Sequence, residues 1–209
     1  MEALFAFAAA LLAFRLAGSL ARRWRARREA QLAAWSASLL SYAVASAALA
    51  WGAAAGWDDA SFRVYYLFGG LLTAPLLGVG SLLLIDRRWA MPVGFLYTGL
   101  AVGIALAAPL TTAVSGESIP EAQKHLEFVP GRLVAILGNS LGTLAVVAVA
   151  LATIRRRPVG NALILAGVAV AAVGSGVAGL GVAETATFIA VAAGLLYAGF
   201  LRAGGRRAV

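Results

Sequence analysis

The chain has 209 residues, of which 62% are hydrophobic and 12% charged, and its mean hydropathy is +0.88. Soluble domains lie nearer half apolar and a quarter charged, so this composition belongs in a membrane and leaves no polar stretch long enough for a separate soluble domain. Cysteine is absent, which excludes disulfides, thiolate metal sites and cysteine nucleophiles.

A formal charge of +8 invites a nucleic-acid reading, but position decides against it. Sixteen of the seventeen basic residues are arginine, and they occur as short clusters between apolar runs. Loops of membrane proteins collect such clusters, whereas a nucleic-acid surface needs a contiguous basic face. The heavy use of Arg, Ala and Gly points to a GC-rich bacterial genome.

A helix needs about 20 apolar residues to cross the hydrocarbon layer. Seven stretches qualify, at approximately 3–21, 31–55, 63–85, 91–114, 132–154, 160–182 and 185–203. The expected architecture is an all-α polytopic membrane protein with seven transmembrane helices in a single domain. The first stretch lacks a positive leader and is followed by "RRWRARR", so it reads as a retained span, not a cleaved signal peptide. Arg15 within it would snorkel toward the basic loop or mark an anion path.

In the second stretch Ser38, Tyr42 and Ser46 recur every four residues, a polar seam that faces either protein or a wet cavity. The third contains "YYLFGGLLTAPLLGVGS". Pro75 there removes a hydrogen bond to the carbonyl of Leu71 and crowds it, and Thr73 and Ser81 are placed to help satisfy freed groups. Gly69, Gly70 and Pro75 are candidate hinge residues in what is otherwise a kinked packing helix, and Gly78 and Gly80 permit close approach.

After the fourth stretch, "SGESIPEAQKHLEF" reads as a short interfacial helix at about 119–127, with Ser118 and Glu121 as a capping box and Pro120 in its first turn. Glu117, Glu121 and His125, four apart, would hold a divalent metal only with help from Asp58, Asp59 or Glu184, and one histidine among scattered carboxylates reads better as a solvated charged face. The fifth stretch carries "GNSLGT", in which Asn139 and Thr143 share a face and line a cavity or bond to a neighbouring helix. Gly138 and Gly142 in the fifth, and Gly167, Ala171, Ser175 and Gly179 in the sixth, form small-residue stripes where backbones can meet.

Orientation follows from charge. Thirteen basic residues follow spans one, three, five and seven, while Glu2, Asp58, Asp59, Glu117, Glu121, Glu127 and Glu184 fall on the opposite side. The positive-inside rule then puts the N-terminus outside and the C-terminus in the cytoplasm. Trp51, Trp57, Tyr65 and Tyr66 are expected at the outer headgroup level, and Trp24, Trp35, Trp89 and Tyr197 at the inner one.

The segments "RRWRARR … GWDDASF … GGLL" and "RRRPVG … GVAETATF … AGLL" echo one another, which would relate spans one to three and five to seven as parallel repeats around span four. This 3+1+3 layout resembles SWEET carriers, although their proline pattern is not reproduced: Pro75 and Pro109 are the mid-span prolines here. "YYLFGGLLTAPLLGVGS", "GNSLGT" and "RRRPVGNALI" together resemble a group of small seven-span actinobacterial membrane proteins with no assigned activity. That resemblance implies a bacterial inner-membrane protein and transfers no catalytic residue.

No nucleophile–base pair, Walker loop or HExxH is present, so neither an enzyme nor a cofactor is expected. Retinal binding of the microbial-rhodopsin kind is excluded because the only lysine, Lys124, lies in a loop. Two readings lead, and an intramembrane enzyme comes last because no buried acid–base constellation is visible. Thr73 with Asn139, Thr143, Ser38, Tyr42 and Ser46 would line the cavity of a small-solute or lipid-like ligand carrier. Alternatively the small-residue stripes would serve a scaffold subunit, self-associated or within a membrane complex.

Overall fold

A computed structural model gives the fold and describes residues 2–116, 118–178, 191, 192, 194–196, 198, 199 and 202. The helices are α1 (Glu2–Arg27), α2 (Ala30–Ala55), α3 (Asp59–Leu84), α4 (Ala90–Ala107), a single turn α5 (Ala122–His125), α6 (Leu133–Thr153) and α7 (Pro158–Ala178). Among the described residues there is no strand, only one bridge pair between Leu110 and Leu126. Five helical segments are long and apolar enough to cross a membrane: α1, α2, α3, α4 and Phe128–Thr153. The expected span at 185–203 lies largely outside the described residues, as do Glu117, Glu184, Tyr197 and Gly179 and the side chains of Ala171 and Ser175.

α1 shows how the bundle is built. It buries Ala6, Ala9, Ala10, Ala13 and Ala17 against α2 and turns Phe5, Phe7, Leu11 and Phe14 outward. A soluble helix does the reverse. Lipid rewards no burial of large apolar side chains, so small residues face protein, where close backbones gain dispersion contacts, and bulky ones face the chains. Ser36 fixes the register of the pair by donating to the Ala17 carbonyl at 2.8 Å. Arg15 is exposed on the outer face of α1.

Leu16 and Leu20 of α1, Trp35 of α2, Leu77 of α3, Val146 of α6 and Ile164 of α7 form one buried cluster, with Trp24 and Leu84 at its edge. These residues neighbour the three arginine-rich turns, which therefore share one end of the bundle. A second cluster at the other end gathers Ala6, Leu49, Trp57, Phe62, Val114 and Leu126.

Several boundaries differ from the sequence-based expectation. The fourth span stops at Ala107 instead of running to 114, because Pro109 drives Ala108 into an extended conformation (φ −65°, ψ 126°). The outer helix is only Ala122–His125, and Glu121 precedes it instead of occupying a capping box with Ser118. Trp35 and Trp57, expected at the headgroup level, are both buried within the protein, Trp35 lying against Gly80 and Trp57 against Gly52. In each case a glycine makes room for the indole, Gly80 from the facing α3 and Gly52 from the last turn of α2, just before Trp57 in the chain.

The capping box instead starts α3. Asp58 Oδ1 accepts from the Ser61 amide at 2.7 Å, and Ser61 Oγ accepts from the Asp58 amide at 3.0 Å. The Ser61 hydroxyl first, and its amide second, hold the Asp58 carboxyl below the usual carboxylate range. A lowered pKa means the ionised form stabilises the fold. That contribution is complete above the unfolded value, about 3.9, and is lost as pH falls through the lower folded value. Asp58→Ala is expected to lower the thermal midpoint in detergent at neutral pH, while Asp58→Asn should keep the cap and flatten the acid dependence, both read by circular dichroism.

Candidate functional site

The third helix contains the defining irregularity. Tyr66–Leu72 is a π-helical turn set between α-helical Asp59–Tyr65 and Thr73–Leu84. A π-turn bonds the amide of residue i+5 to carbonyl i, an α-turn that of residue i+4. Position 75 is i+5 from Gly70 and i+4 from Leu71, and Pro75 has no amide to offer either carbonyl.

Side chains from neighbouring helices take up these groups. Asn139 Nδ2 of α6 donates to the Gly70 carbonyl at 2.7 Å, and the Tyr97 hydroxyl of α4 donates to the Leu71 carbonyl at 2.9 Å. Thr73 Oγ1 donates to the Phe68 carbonyl at 2.7 Å, and Ser38 Oγ of α2 donates to the Thr73 carbonyl at 2.7 Å. The candidate hinge of Gly69, Gly70 and Pro75 is thus braced from α2, α4 and α6. Ser81, by contrast, bonds to its own turn at Leu77 and leaves the proline step alone.

Around this braced turn lies a cavity of about 380 Å³. Ser38, Tyr42 and Ser46 of α2, Thr73 of α3, and Asn139 and Thr143 of α6 all line it, along with Gly69. Val168 of α7, Ala192 and Leu196 also contribute to its wall. Its described lining residues carry no charge. The volume falls in the range of about 300–1,000 Å³ typical of small-molecule sites.

Not all of the polar groups there are occupied. The Tyr42 hydroxyl lies beside Ser46, one turn along, yet its buried oxygen is outside hydrogen-bond geometry with every described residue. Among the described residues Thr143 makes no hydrogen bond, and Asn139 uses only its amide nitrogen, leaving the carboxamide oxygen open. A polar corner therefore sits within a largely apolar chamber.

The small residues pack within this chain. A Cβ on Gly78 would stand 2.7 Å from the Gly142 Cα, and one on Gly142 would press on the Ala74 carbonyl oxygen. A Cβ on Gly138 would meet the Tyr97 hydroxyl, and one on Gly167 would lie 2.8 Å from Leu196 Cγ. α3 and α6 thus meet backbone to backbone just below the cavity.

The acidic loops hold no metal cluster among the described residues. Asp58 caps α3, Asp59 accepts from the Val114 amide at 2.8 Å, and His125 Nδ1 lies 3.0 Å from the Thr112 hydroxyl. Glu121 is occupied by Lys124 at 2.8 Å, which with Gln123 holds its carboxyl below the usual range.

Sequence reasoning missed Tyr97 and Asn161. Asn161, 1% exposed, donates to Thr153 Oγ1 at 2.9 Å and ties α7 to α6 across the arginine turn. A lone amide in an apolar run was the available signal. Tyr97 gave none, because a tyrosine in mid-span reads as an ordinary packing residue.

The chain matches no known protein family, no curated protein and no solved structure.

Removing the Tyr97 hydroxyl orphans the Leu71 carbonyl without creating a large void. Tyr97→Phe is expected to destabilise the bundle by about 1–3 kcal/mol, as for other unsatisfied buried groups. Gly142→Ala should cost a similar ~1–3 kcal/mol by forcing α3 from α6. Reversible unfolding in mixed micelles measures both.

Proposed function

We propose that the protein is a small-solute binding bundle or carrier of a bacterial inner membrane, and that its ligand is neutral, with an apolar body and one or two hydrogen-bonding groups. The observation carrying this reading is the cavity between α2, α3 and α6: seven polar residues spread over three helices, Tyr65 among them, converge there, and the free capacity of Tyr42, Thr143 and Asn139 faces a chamber with no charge among its described lining residues. A charged ligand would be left without a counter-ion in a low-dielectric site. A wholly apolar one would leave those groups unmet.

The full topology belongs to the same proposal. Seven spans, with the N-terminus outside and the C-terminus in the cytoplasm, accord with the alternation of loop charge, and a 3+1+3 repeat would set the braced third span against the seventh. A carrier must expose its site alternately to each side. The π-turn beside Pro75, adjoining the cavity through Gly69 and Thr73, is the element best suited to absorb such a change.

The scaffold reading loses support from the same geometry. Gly138, Gly142 and Gly167 meet Tyr97, Ala74 and Leu196 of the chain itself, while Gly179 and the side chains of Ala171 and Ser175 lie outside the described residues.

Uptake of labelled neutral solutes into proteoliposomes tests the proposal. Thr143→Val, which removes an unused hydroxyl and keeps its shape, is expected to weaken uptake about threefold to tenfold, the worth of one hydrogen bond. Ala45→Phe, which fills the chamber from α2, should abolish it. Uptake that survives Ala45→Phe in a folded protein would remove the cavity from the mechanism.

A further inference from the structure

On the far side of α3 from the cavity lies a second concavity, a groove of about 470 Å³ floored by α3 and walled by α4 and α6. Gly78, Gly94, Gly138 and Gly142 are among its lining residues, and the bare Cα atoms of Gly78 and Gly142 let α3 and α6 meet at its base. Its rims are apolar and open: Val93 is 50% exposed and Leu141 65%. Along α4 the groove runs from Trp89 to Leu100, about 16 Å at the helical rise, or roughly half of a ~30 Å hydrocarbon core. That is the depth of one leaflet.

The end of the groove is marked by charge. α3 closes with a Schellman turn in which the Asp86 amide bonds to the Leu83 carbonyl at 3.0 Å and the Arg87 amide to Leu82 at 3.1 Å. This turn sets Arg87 and Arg88 in the two positions immediately before Trp89, the lining residue at that end of the groove. Arg88 pairs with Asp86 at 3.3 Å, whereas Arg87 is exposed and makes no ion pair among the described residues. Trp89, 57% exposed, lines the mouth itself with the amphipathic ring that favours the headgroup level.

We propose that this groove seats one acyl chain of an anionic phospholipid from the leaflet at the arginine-rich end, with the lipid phosphate held by Arg87 beside Trp89. A partner helix would fit poorly. A helix is about 10 Å across, and its own polar caps would have to meet the same basic turn. An acyl chain is narrow, apolar along one leaflet's depth, and ends in the charge that Arg87 lacks. The seat is independent of the solute cavity, from which α3 separates it.

Native mass spectrometry of the full chain, exchanged into micelles containing phosphatidylglycerol and phosphatidylcholine of identical acyl chains, tests the assignment. Phosphatidylglycerol should be retained about fivefold over phosphatidylcholine, the preference expected of one arginine at the membrane surface. Arg87→Gln should erase that preference while lipid of either head is still retained. Ala145→Phe, which fills the groove from α6, should lose retention of both. Should that variant fail to fold, electron paramagnetic resonance of chain-labelled phosphatidylglycerol with the wild-type protein replaces it, and an immobilised component is expected. Equal retention of the two headgroups, retention unchanged by Ala145→Phe, or absence of an immobilised component would each overturn the proposal. So would a dimer that Ala145→Phe converts to monomer, since a second copy would then occupy the groove.

Discussion

The organisation of this bundle depends on one constraint: no backbone carbonyl can be left unmet in hydrocarbon. The π-turn and Pro75 leave α3 with carbonyls at Gly70 and Leu71 that its own backbone serves poorly. Asn139 and Tyr97 reach them from two different helices, and Ser38 secures the next turn at Thr73 from a third. Each bond is modest alone. Together they fix α2, α4 and α6 at defined azimuths around α3, because each donor must point at a stated oxygen. Nonspecific apolar packing, which in lipid distinguishes poorly between protein and solvent, would not give that registry.

This arrangement also makes α3 a partition. Thr73, Ala74 and Leu77 face the polar-cornered cavity, whereas Pro75, Leu76 and Val79 face the apolar groove. The contact of Gly78 with Gly142 closes the gap between α3 and α6 where the two spaces would otherwise merge. Asn139 serves both tasks: its nitrogen holds the Gly70 carbonyl and its carboxamide oxygen remains available to the chamber. On the proposed function, a ligand that engaged that oxygen would act directly on the brace of the π-turn.

Much of this was legible in the sequence. The five long helices α1, α2, α3, α4 and Phe128–Thr153 followed from apolar length, since hydrophobic thickness sets a minimum that few other constraints compete with. The polar positions Ser38, Tyr42, Ser46, Thr73, Asn139 and Thr143 stood out for the same reason, as departures from a uniform background, and the fold brings all six to one chamber. What failed was anything set by tertiary partners. The burial of Trp35 and Trp57 was not legible, because it depends on Gly80 and Gly52 standing against them. The cap at Asp58 was invisible because its reciprocal partner is Ser61, not a glutamate. The proline's effect on Leu71 could be derived, whereas its remedy, Tyr97, sits 26 residues away on another helix.

The π-turn has a consequence for how this chain can change over generations. It accommodates a residue beyond what a regular helix of the same path would hold, and each residue rotates a helix by about 100°. Excising one residue between 66 and 72 would let α3 relax into an unbroken α-helix along the same path, keeping Gly78 against Gly142 and Thr73 near Ser38 while closing the wide turn that Asn139 and Tyr97 brace. The same loss from a regular stretch of α3 would instead swing everything beyond it by about 100°. Lineages descended from this sequence can therefore shed a residue here more easily than elsewhere along this helix.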